Sequence, residues 1–86
     1  MRKKIVAGNW KMNNNKSETA DLIKALKSLS FSTDVRVMIA PAFTHLAQAE
    51  ELTQGGRIEV LAQNMNANDS GAFTGEISAK MLHSIG

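Results

Sequence analysis

The stretch VRVMIAP, residues 35–41, decides how the rest of the chain is read. Val35, Val37 and Ile39 are β-branched and alternate along a run that Pro41 closes, because proline has no N–H to give to a central ladder. On both sides the apolar period changes from two to three or four. Upstream, Leu22, Ile23, Leu26 and Leu29 mark one face of a helix; downstream, Leu46, Ala49 and Leu52 do the same. A strand between two amphipathic helices predicts crossover connections, and the outer segments extend the pattern. Residues 4–7 and residues 58–62 read as a first and a third strand. Asn15 with Glu18 three places on resembles a capping box opening the first helix, and Gly55-Gly56 close the second, which runs over THLAQAEELTQ, residues 44–54. After the polar loop QNMNANDSGAFTG, residues 63–75, the segment EISAKMLHSIG carries Ile77, Met81, Leu82 and Ile85 on one stripe, with Gly86 where a helix would cap. The order is βαβαβα, an α/β chain with a parallel sheet and right-handed crossovers.

At 86 residues the chain is one small domain or a piece of a larger one. Hydrophobic residues are 43% and charged residues 21%, a soluble globular composition rather than a disordered one. There is no cysteine, hence no disulfide framework or thiolate metal site. The net charge of +2 is spread along the chain and not interleaved with aromatics, which argues against nucleic acid. The basic start, residues 1–4, is followed by an apolar run that stops at Asn9, short of the roughly 7–15 apolar residues that a signal peptide needs. No run approaches membrane-spanning length, so the expected setting is the cytoplasm. The last helical pattern ends where a fourth strand is expected, and three parallel strands leave both sheet edges open. The expectation is a chain cut from a longer fold.

In parallel α/β folds ligands bind beyond the carboxyl ends of the strands. Polar residues gather there: Asn9 and Lys11 after the first strand, Thr44 and His45 beyond the second, Gln63 and Asn64 after the third. Lys11 offers a positive point charge to a phosphate or an enolate-like oxygen, and Asn9 a directional amide, a pairing suited to a small anionic substrate. The plainer alternative is that a lysine leaving the core is simply solvated, and the residues alone leave both open. Two non-enzymatic readings also stand: a self-contained module binding an anion through Lys11, or a structural piece that assembles with a complementary chain. Trp10 reads as packing, Asp69-Ser70-Gly71 as turn chemistry, and Met12, Met38, Met65 and Met81 as space-filling. His45 and His83 have no acid or nucleophile at a recognisable spacing.

Three segments carry a resemblance. GNWKMN at residues 8–13, APAFTHL at 40–46 and LAQNMNANDSGAFTGEIS at 61–78 resemble, in order and spacing, the triosephosphate isomerase family, and the likeness spans residues 5–86. It implies that residues 1–86 are the N-terminal part of a single (β/α)8 TIM-barrel domain, with three of eight βα units present. It implies that Asn9 and Lys11 bind a phosphorylated triose, with the Lys11 charge stabilising the enediolate. Dihydroxyacetone phosphate and D-glyceraldehyde 3-phosphate would be interconverted without metal or organic cofactor, in the cytoplasm, in glycolysis and gluconeogenesis. The segment NDSGAFTGE, residues 68–76, corresponds to the loop that reaches into the partner of a homodimer. Thr74 would approach the partner's catalytic residues, with Phe73, Gly75 and Asn64 at the same interface and Gln63 near the active-site floor. No nucleic-acid or membrane partner is implied. The family's glutamate base and neutral histidine lie in motifs resembling GHSERR and YEPVWAIGTG, which do not occur here. The 86 residues alone are therefore expected to be inactive.

Overall fold

A computed structural model describes residues 2–86. Its centre is β2, Val35–Ala40, which pairs in parallel with β1, Lys4–Asn9, on one side and β3, Ile58–Val60, on the other. The register sets Val6 against Val37 and Asn9 against Ala40, then Val37 against Ile58. Because strand side chains alternate between faces, Val37, Ile39 and Ile58 share one face. There they meet Ile23 and Ala49 from the helices in a buried core, with Trp10, Leu26, Phe31 and Leu52 packed around it. On the opposite face Arg36 grips Glu59 through two hydrogen bonds of 2.9 and 2.7 Å.

The first helix, α1, Lys16–Lys27, begins where the sequence places it. Asn15 Oδ1 accepts from the Glu18 N–H, and Glu18 Oε1 accepts from the Asn15 N–H, so two otherwise orphaned donors are satisfied. Helix α2, Leu46–Leu52, runs beside it in the same direction. Gln48 donates to the Lys16 carbonyl near the helix starts, and Lys27 Nζ donates to the Leu52 carbonyl at their ends. Arg57, entering β3, donates to the carbonyls of Phe31, Ser32 and Val35 and so ties the α1–β2 connection to the next strand.

Four boundaries differ from the sequence reading. Strand β1 continues through Gly8 and Asn9, since each still has a partner on β2, and the Trp10 N–H reaches the Ala40 carbonyl at 3.0 Å. Strand β3 stops at Val60 rather than residue 62, although the Leu61 N–H still bonds to the Ile39 carbonyl. The second helix is split: Phe43–His45 form a 3-10 turn, and His45, with φ −116, breaks the run before Leu46. The last helix, α3, Ala79–Ser84, starts late, because Ser78 is extended and caps the Met81 N–H, while the Ile77 carbonyl accepts from Asn66. That contact at 2.7 Å, with the Asn66–Ser78 bridge beside it, forms a neck that closes the long loop at its base.

Candidate active site

Parallel strands bring their carboxyl ends to one edge of the molecule, and the strand-end residues meet there. The chain leaves β1 at Asn9 and turns at once. Asn9 Oδ1 accepts from the Lys11 N–H at 2.9 Å, and Asn13 Nδ2 donates to the Trp10 carbonyl at 2.8 Å. Lys11 takes φ 53, in the left-handed region that a residue with a Cβ rarely enters; Asn14 follows with φ 74. Such a conformation costs a lysine about 1–2 kcal/mol and persists only where the surroundings fix it. They do so here. Gln63, three residues past the end of β3, donates through Nε2 to the Lys11 carbonyl at 2.9 Å and to the Ala40 carbonyl at 2.8 Å. Both backbone polar groups of Lys11 are thus held by side-chain amides.

The consequence is electrostatic. Asn9 Oδ1 is engaged by the turn, and its Nδ2 donor has no partner among the described residues. The Lys11 side chain is exposed, and its ammonium has no hydrogen-bond or ion-pair partner among the described residues. A cation and an amide donor two residues apart on a turn whose backbone is held from both sides can receive an anionic oxygen. The sequence reading brought Asn9, Lys11 and Gln63 to this edge but did not foresee that Gln63 reaches the Lys11 backbone.

The other polar residues singled out in the sequence make no hydrogen bond to this turn. Thr44 and His45 sit in the 3-10 turn, and His83 in α3. Asn64 turns its Oδ1 back to the Met65 N–H. Phe73, Thr74 and Gly75 lie exposed in the necked loop. Gly71 has φ 136, and the Phe73 ring lies so close that a Cβ there would come within 2.8 Å of it. Trp10 packs against the core, as its size predicts. At the amino end of the sheet a cavity of about 360 Å3 is lined by Lys27, Phe31, Thr53 and Arg57. Both of its cations, Lys27 and Arg57, donate to backbone carbonyls beside it. Among the described residues no three His, Cys, Asp or Glu side chains gather to hold a metal ion, and no helix is long and apolar enough to cross a membrane.

Comparison with known proteins decides the family. The sequence model described as triosephosphate isomerase matches residues 4–86. The chain belongs to the triosephosphate isomerase family. Proteins of that name from Flavobacterium psychrophilum, Clostridium acetobutylicum and Alkaliphilus metalliredigens are 54%, 48% and 46% identical to it over its whole length. The chain spans 35% of the length of each of these relatives. The open sheet of three parallel strands alternating with helices is a partial set of βα units of the triosephosphate isomerase barrel.

Proposed function

We propose that these residues are the N-terminal part of a single-domain triosephosphate isomerase and supply its electrostatic contact to substrate. Lys11 binds the phosphorylated triose and stabilises the negative oxygen of the enediolate, and Asn9 donates a hydrogen bond through Nδ2. The carrying observation is the unpartnered Lys11 ammonium on a backbone held from both sides at the carboxyl edge of the sheet. A fixed cation lowers the energy of developing negative charge because it need not reorganise as that charge forms. The proton-transferring base and the carbonyl-polarising histidine belong, by the resemblance to the family, to later strands. No metal or organic cofactor enters the reading.

The partner and setting follow from the same likeness. The tip of the necked loop, Phe73, Thr74 and Gly75, with Asn64 at its base, forms an interface in a homodimer. Its exposed aromatic and small residues suit insertion into a second subunit. The enzyme works in the cytoplasm, in glycolysis and gluconeogenesis, without nucleic-acid or membrane partners.

The test is a chimera that joins residues 1–86 to the remaining 65% of the Flavobacterium psychrophilum relative. The chimera is expected to isomerise D-glyceraldehyde 3-phosphate, Lys11→Ala to lower kcat/KM by at least about a hundredfold, and the 86 residues alone to be inactive. A folded chimera without activity, or one indifferent to Lys11→Ala, sinks the reading.

A further inference from the structure

We infer that Gln63 is a positioning residue that aims the Lys11 ammonium, and that it does not itself contact substrate. The inference rests on the isomerase reading above, and its observations are those of the turn. A primary amide has two hydrogens to donate. The Gln63 nitrogen places them on two carbonyls from two different strand ends, Lys11 at 2.9 Å and Ala40 at 2.8 Å. The Ala40 carbonyl also receives the Trp10 N–H, so it is a fixed point of the β1–β2 ladder. Gln63 therefore measures Lys11 against the sheet. Asn9 Oδ1 fixes the peptide plane before the Lys11 Cα, and Gln63 Nε2 fixes the plane after it. With both planes set, the direction of the Cα–Cβ bond is set, and the side chain leaves the turn along one line. Released from Gln63, a lysine at φ 53 relaxes toward negative φ, and its ammonium swings away from the place where charge develops. Both Gln63 amide hydrogens are engaged by these carbonyls, so its nitrogen has none left to donate to substrate.

The variants are Gln63→Met, which keeps the length and removes the donors, and Gln63→Asn, which keeps the amide but is one methylene too short to span both carbonyls. Both are made in the chimera, and kcat, KM, melting temperature and crystal structure are compared with the parent. Gln63→Met is expected to lower kcat/KM by about ten- to a hundredfold, the size associated with two lost hydrogen bonds. The Lys11 backbone should leave the left-handed region. Gln63→Asn should fall between the two. If Gln63 were only a structural brace, the melting temperature would fall while KM, kcat and the Lys11 φ stayed at their parent values; that result overturns the inference. So does a loss of activity with the Lys11 backbone unmoved, since it would make Gln63 a direct contact. An unsubstituted chimera that folds but is inactive overturns the isomerase reading itself, and this inference with it.

Discussion

Lys11 shows how one residue can hold a conformation that its own chemistry disfavours. Glycine enters the left-handed region without a steric penalty, so Lys11→Gly should relieve strain in the folded chain while making the unfolded chain freer. The two effects oppose each other. The expected net result in the chimera is an unfolding free energy unchanged or raised by up to about 1 kcal/mol, read by urea titration, together with loss of activity. A fall of more than about 1 kcal/mol would show that the turn is not strained at this position. That Asn9 and Lys11 lie at the carboxyl edge of the sheet was legible in the sequence because a polar cluster directly follows an apolar run. The contact from Gln63 was not. It joins positions 52 apart, and neither periodicity nor a turn signature encodes such a pairing. Nor does a lysine announce a positive φ as glycine or asparagine does.

Among the elements, β2 was read to the residue, since β-branched alternation opens it and Pro41 closes it. The capping box of α1 was equally plain. The late start of α3 was hidden, because the apolar stripe includes Ile77, whose backbone is claimed by the loop neck and not by the helix. The link between β2 and β3 through Arg36 and Glu59 was also invisible until the register was known. The hydrogen bond from Arg36, aided by its charge, draws the Glu59 carboxyl below the ordinary carboxylate range, while Glu59 raises the Arg36 guanidinium. A depressed carboxylate contributes stability at pH values above its unfolded pKa, and that contribution disappears as pH falls through the folded one. The raised guanidinium loses its share only at strongly alkaline pH. Thermal melts of the chimera between neutral pH and about pH 3 should therefore show a shallower acid-side decline for Glu59→Gln than for the parent. Equal slopes would mean that the pair, exposed on both sides, is worth nothing measurable.

For the whole molecule, the α/β class and the order of units followed from the alternation of periods, whereas what covers the far edge of β1 did not. In this structure every residue of β1 is exposed, Ile5 at 56% and Val6 at 59%, and one side of the strand has no neighbouring strand among the described residues. An apolar strand with unpaired N–H and C=O groups is a template for another chain. The 86-residue polypeptide should therefore associate as its concentration rises. Sedimentation velocity checks this, and a monomer at all concentrations would count against it. The loop between β3 and α3 behaves in the opposite way, because it closes upon itself. With the Asn66–Ser78 bridge holding its base, the start of α3 is fixed independently of the path the tip takes. Doubling the length of a loop already closed at its neck costs only about 0.6 kcal/mol in closure entropy. A change of length at the tip would therefore be felt at the proposed subunit interface and not in the register on which the Lys11 turn depends.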